Sequence, residues 1–175
     1  EQAIMDGEAM YKALYEGLRP YFGPRMAFFG HSMGGLLAFQ FTRYLSRHGL
    51  EMPIHLFLSA APTPVPPADI KGKLSAQEVF LDRILHSGTV PESVLLDADS
   101  LEVVKQTLVQ DHTLLLTMLD GDRTPLPVPM SVLAGEKDLL VPLERAREWL
   151  DFTTGVCSFV TWPGGHFYIR KWRGE

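Results

Sequence analysis

Cysteine is almost absent from this chain. Cys157 stands alone among 175 residues, which excludes an intramolecular disulfide framework and any multi-cysteine metal site. Positive charge is not in excess either. Sixteen lysines and arginines face 21 aspartates and glutamates, a formal net charge of −5. A general nucleic-acid binder usually carries a basic surplus or stripe, so that class is set aside. No apolar run approaches the ~20 residues a membrane-spanning helix needs, because charges and prolines interrupt every candidate. The six histidines include no pair at helical ligand spacing, so no metal site is expected. Internal repeats and a leader with basic, apolar and small segments are also missing. A single cysteine fits a reducing, cytoplasmic setting. What remains is the composition of an ordinary globular domain, 46% hydrophobic and 21% charged, able to bury a core.

The apolar pattern alternates between two periods. Helical spacing over residues 3–18 ends at Pro20 and Gly23. Met26–Phe29 reads as a short strand, residues from Met33 to about Arg47 as a helix stopped by Gly49, and Ile54–Leu58 as a second buried strand. Four prolines at 62, 64, 66 and 67 then forbid helix or central strand. Residues 69–122 carry helical signals alone, opening on a Ser75/Glu78 capping box. Strands return at Met130–Ala134 and Cys157–Thr161, with a helix over 143–150 between them. Strands alternating with helices predict a mainly parallel α/β sheet covered on both faces, with 69–122 inserted between two strands as a candidate lid.

The chemistry concentrates in three loops. Gly30-His31-Ser32-Met33-Gly34 matches the Gly-x-Ser-x-Gly turn between a strand and a helix, which presents a serine hydroxyl at a sharp tip and calls for small residues two positions to either side. Ser32 is therefore the candidate nucleophile. The Met33 backbone N–H, at the positive end of the following helix, is the candidate oxyanion donor. A base and an orienting acid are expected in the order Ser, Asp/Glu, His. Of the histidines, only His166 sits in a turn directly after the last strand, and it is the candidate base. His31, His48, His55, His86 and His112 read as ordinary surface or core residues. The loop Gly135-Glu136-Lys137-Asp138 offers two carboxylates. Asp138, next to the anchoring Leu139-Leu140-Val141, is preferred, with Glu136 as the alternative.

With these motifs in view, the chain resembles the type II thioesterases that accompany nonribosomal peptide and polyketide synthases, a family similar to the vertebrate medium-chain fatty-acyl thioesterase. Phe29-Gly30-His31-Ser32-Met33-Gly34-Gly35, Gly135–Pro142 and Gly164-Gly165-His166-Phe167 carry the likeness, together with Leu74-Ser75, Gly88–Glu92 and Gln110-Asp111 in the insertion. The resemblance implies an α/β-hydrolase fold with a helical lid and a Ser32–His166–Asp138 triad that needs no cofactor. It implies acyl thioesters on the phosphopantetheine arm of acyl or peptidyl carrier proteins as substrates. It also implies a monomeric, cytoplasmic protein with no nucleic-acid or membrane partner. The family's early strands, which bring a second oxyanion donor, and its closing helix find no room in 1–175, so the chain reads as one partial domain. An uncovered edge on the elbow strand, poor solubility and low activity are the corresponding expectations. A lipase or esterase acting on free esters and a non-catalytic binding module on the same scaffold are the competing readings. The basic cluster Arg170, Lys171 and Arg173 reads as a solvated tail.

Overall fold

The computed structural model describes residues 3–66, 75–85 and 90–172. Leu74, His86, Gly88, Thr89 and Arg173, which the sequence reading drew on, lie outside them. Helix α1 (Gly7–Leu18) starts where Asp6 accepts the Ala9 N–H at 2.9 Å, so the periodic residues 3–6 precede the helix rather than open it. Then come β1 (Ala27–His31), α2 (Met33–Arg47) and β2 (His55–Ser59). The insertion holds α3 (Ser75–Leu85), α4 (Glu92–Leu95) and α5 (Ala98–Met118), the last capped by Asp97 on the Ser100 N–H at 2.8 Å. The chain finishes with β3 (Met130–Gly135), α6 (Leu143–Arg147), β4 (Cys157–Trp162) and a terminal 3₁₀ turn over Tyr168–Trp172. The helix expected over 143–150 tightens after Arg147 into a 3₁₀ segment, Glu148–Phe152. That tightening turns Trp149 and Phe152 fully into the core.

The four strands are all parallel, in the order β1-β2-β3-β4. This order explains a departure from expectation. Successive strands advance in one direction across the sheet, so right-handed crossovers all land on the same side. Leu56, Leu58, Met130 and Val132 are sealed there beneath Leu36 and Phe39 of α2 and the Trp149 and Phe152 rings. Phe39 meets Trp149 edge-on at 4.9 Å between centroids. The opposite face is covered by the described residues only at its C-terminal end, where Tyr168 lies over Ser59. Phe29 is 55% exposed there, and Phe57, Val160 and Trp162 are each more than a third exposed. Strand β1 is an edge of the described sheet.

The insertion returns to the body through α2. Gln40 Nε2 donates to the Met118 carbonyl, and Arg43 Nη2 donates to the carbonyls of Asp122 and Thr124. Arg43 is buried, and its guanidinium lies 3.4 Å from the Asp120 carboxylate. On the other side of the insertion, the proline segment is tied down by Trp149 Nε1 donating to the Ala61 carbonyl and Arg145 Nη2 to that of Val65. The insertion is therefore tied to the helical layer at both roots, to α6 and the 3₁₀ segment after it on one side and to α2 on the other.

Candidate functional site

The elbow is made by steric necessity. Ser32 lies between β1 and α2 with φ 56° and ψ −126°, in the left-handed half of conformational space that a serine seldom adopts. Its N–H donates to the Ser59 carbonyl at 2.8 Å, and its own carbonyl accepts from Gly35 N–H at 3.0 Å. A Cβ on Gly30 would stand 2.1 Å from the Gly34 carbonyl oxygen, and one on Gly35 would stand 2.5 Å from the Ala61 methyl. A Cβ on Gly34 would meet nothing within 4 Å. Crowding thus falls on Gly30 and Gly35, whereas the motif had suggested Gly30 and Gly34. Met33 opens α2, and its N–H has no preceding turn to bond within the helix, so it projects from the helix N-terminus beside Ser32.

The acid and base loops are stitched to each other. Glu136 N–H donates to the Trp162 carbonyl at 2.9 Å and Lys137 N–H to that of Gly164 at 2.8 Å. Gly135 sits so close to this turn that a Cβ would be 2.4 Å from the Gly165 carbonyl oxygen. Gly164 takes φ +130°, which allows the backbone to reverse before His166.

Within this frame the three candidate residues meet. His166 Nε2 lies 2.8 Å from Ser32 Oγ, and His166 Nδ1 lies 2.8 Å from Asp138 Oδ2. The Asp138 side chain is entirely buried, and its other oxygen accepts from the N–H groups of Leu140 (2.8 Å) and Val141 (3.0 Å). Those two bonds fix the carboxylate and leave Oδ2 for the imidazole. With Nδ1–H donated to Asp138, Nε2 carries the lone pair that can take the serine proton. Glu136, the alternative acid, is exposed and has no part in this chain of bonds. His48 and His55 bond to the Tyr44 carbonyl and to Ser131, respectively. His112 is buried against Phe80, with its pKa lowered by burial. Arg170 stacks over Phe167 at 5.2 Å.

His31, read in the sequence as incidental, belongs to the site's surroundings. Its ring centroid is 5.2 Å from that of His166, and Nδ1 lies 2.9 Å from Ser59 Oγ, which is itself 2.6 Å from Tyr168 Oη. His31 Nε2 is buried with no hydrogen-bond partner. Burial, and next the neighbouring His166, lower its pKa to about 4. Its place inside the motif was visible in the sequence. Ser59 and Tyr168 carried no comparable signal, since they lie 109 residues apart. Among the described residues there is no cluster of three or more metal-ligating side chains, and no helix is long and apolar enough to cross a membrane.

A parallel sheet with a serine elbow after one strand, and the loops after its last two strands closing upon it, is the α/β-hydrolase fold. The comparisons narrow this to a family. The thioesterase domain family matches residues 1–174, and the chain belongs to it. Thioesterase PikA5 of Streptomyces venezuelae is 34% identical over 147 residues, covering 83% of this chain and 52% of that protein. The gramicidin S biosynthesis protein GrsT of Aneurinibacillus migulanus is 28% identical over 176 residues, covering 100% and 69%. Among solved structures, the type II thioesterase BorB from the borrelidin biosynthetic cluster superposes with a TM-score of 0.76 at 26% identity, covering 98% of this chain and 70% of that one. The chain thus spans about half the length of PikA5 and just over two thirds of GrsT.

Proposed function

We propose that this chain is the catalytic body of a serine thioesterase that releases acyl groups from the phosphopantetheine arm of carrier proteins. The observation that carries this reading is the pair of 2.8 Å contacts joining Ser32 to His166 and His166 to Asp138. Ser32 Oγ attacks the thioester carbonyl while His166 Nε2 takes its proton. The oxyanion is stabilised by the Met33 N–H. The C–S bond breaks, and His166 returns the proton to the departing thiol. Water then attacks the acyl-serine by the same route and frees the carboxylic acid. These steps balance with water as the only co-reactant, so no cofactor is invoked. Family membership supports the reaction type. The relatives named for gramicidin S biosynthesis and the borrelidin cluster support carrier-bound substrates. Residues 69–122, inserted between β2 and β3, serve as a lid over the acyl group.

The test compares turnover of an acyl-pantetheine thioester with that of the matching oxygen ester. The thioester is expected to be preferred, and Ser32→Ala is expected to abolish its turnover while the melting curve is kept. Equal or better turnover of the oxygen ester would replace the thioesterase with a general esterase. Near-normal activity of Ser32→Ala would remove the nucleophile assignment.

A further inference from the structure

We propose that Ser59 and Tyr168, together with His31, form a positioning device that sets the contact between Ser32 and His166. The proposal rests on the reading of Ser32 and His166 as nucleophile and base. Ser59 ends β2, beside the end of β1, and is fully buried. Its main chain and side chain hold opposite halves of the site. The carbonyl accepts the Ser32 N–H at 2.8 Å. The hydroxyl is 2.6 Å from the phenol of Tyr168, two residues beyond His166 in the same turn. One residue therefore fastens both the elbow and the turn that carries the base. Without the phenol tie, the Tyr168 end of that turn would lack this bond to β2.

The hydroxyl hydrogens can run through this chain in either direction. If Tyr168 O–H donates to Ser59 Oγ, then Ser59 O–H can donate to His31 Nδ1, and both hydrogens are used. The reverse order leaves the Tyr168 hydrogen without an acceptor among these contacts, and the first order leaves the His31 Nε2 hydrogen without one, so each strands one buried polar hydrogen. In the first order the single proton of the neutral His31 ring sits on Nε2, the buried atom that lacks a partner. In either order Nε2 stays unsatisfied, and an unsatisfied buried polar atom retained beside a reactive imidazole points to a functional reason. His31 packs its ring against both His166 (5.2 Å) and Phe167 (5.5 Å). The chain therefore holds an uncharged imidazole against the base. Burial keeps His31 neutral near pH 7, so the imidazolium that forms on His166 does not face a second positive charge.

The experiment measures steady-state kinetics on an acyl-pantetheine thioester and the rate of Ser32 labelling by a fluorophosphonate, for the wild type, Tyr168→Phe, Ser59→Ala and the double variant. Melting curves report the fold. Either single change is expected to lower kcat and the labelling rate about tenfold, the size of one ordinary hydrogen bond's contribution, with KM kept within about twofold. Because both changes cut the same tie, the double variant is expected to match the slower single rather than multiply the two losses. A purely structural role would lower the melting temperature and leave labelling of the folded protein unchanged, and that result would overturn the proposal. Losses that multiply in the double variant would overturn it equally. Should Tyr168→Phe fail to fold, Ser59→Ala decides by the same criteria. Folded wild-type protein that takes up no label would overturn the nucleophile reading and the device with it. A labelled wild type with unaffected variants would overturn the device alone.

Discussion

The elbow that presents Ser32 and the paired loops that present Asp138 and His166 meet across a single 2.8 Å contact, yet different physics holds each half. The elbow is a matter of space. Gly30 and Gly35 are squeezed by backbone and by Ala61, and the serine is carried at a positive φ that its neighbours enforce. The acid–base half is a matter of hydrogen bonds. Two backbone donors clamp Asp138, and two more join its loop to the turn carrying His166. A site built this way has one half that fails by collision and another that fails by lost orientation. The two halves should therefore answer mutation through different observables: stability for the elbow, rate for the loops.

The largest effect is expected on the acid–base side and in rate. Asp138→Asn keeps the shape of the side chain but no longer holds Nδ1–H as a charged acceptor, so the wrong tautomer is favoured. A loss of about 10⁴ in kcat is expected, as in other triads so altered. Glu136→Gln, one turn of the same loop away but exposed, is expected to change kcat less than about threefold, within ordinary surface effects. Steady-state kinetics on both variants checks this, and the reverse ranking would move the acid to Glu136. The next effect belongs to the elbow and to stability. Gly30→Ala drives a methyl into the Gly34 carbonyl, where no flexible side chain can give way. A loss of about 3 kcal/mol is expected, at the upper end for overpacking. For a domain of this size that is a fall of roughly 6–12 °C in Tm, readable by circular dichroism.

A third test concerns the neighbour that both halves share. The pKa of His31 is lowered to about 4 in the folded protein, against about 6.5 in an unfolded chain. Between those values the unfolded state binds a proton that the native state refuses. Stability is therefore fully present above pH ~6.5 and is lost as pH falls toward 4. Buried His112 acts in the same direction. Melting curves across this window should show a shallower decline for His31→Gln than for the wild type. Identical slopes would mean that His31 does not titrate as its burial implies.

How much of this was legible beforehand follows from how local each signal is. The elbow was readable because strand, glycine, serine and helix are consecutive, and because a sharp turn admits few residue types. His166 was readable from its place after the last strand, and Asp138 from the apolar residues behind it. The Ser59–Tyr168 tie was not readable. Serine and tyrosine are common, and only the parallel pairing of β2 with β3 and of β3 with β4, together with the turn after β4, brings the two within 2.6 Å. The strands themselves ran one residue or more past their expected ends. Apolar periodicity stops at Phe29, Leu58, Ala134 and Thr161, while ladder pairing continues to His31, Ser59, Gly135 and Trp162. That the described helices α2 and α6 lie on one side of the sheet was not legible, since alternation of helix and strand reveals crossovers but not strand order. Most of the insertion's helices were legible because their periodicity is unbroken, although Gly88 and Thr89, used to characterise it, lie outside the described residues.

The smallest expected effect separates the two glycines of the motif. Gly34 is the second residue of α2, and its φ is not among the positive values found at Gly49, Gly121 and Gly164. A Cβ there would meet nothing within 4 Å, in contrast to the collision at Gly30. The backbone conformation is helical, which alanine adopts without strain. Glycine at such a position costs roughly 0.5–1 kcal/mol relative to alanine, chiefly because the unfolded chain loses more freedom on folding. Gly34→Ala should therefore stabilise the protein by up to about 1 kcal/mol, raising Tm by roughly 2–4 °C. Measured beside Gly30→Ala under identical conditions, the pair should move Tm in opposite directions. A fall for Gly34→Ala comparable to that for Gly30→Ala would show that the tight space of the elbow surrounds Ser32 on both sides. The steric half of the site would then extend into the first turn of α2 instead of ending at the strand.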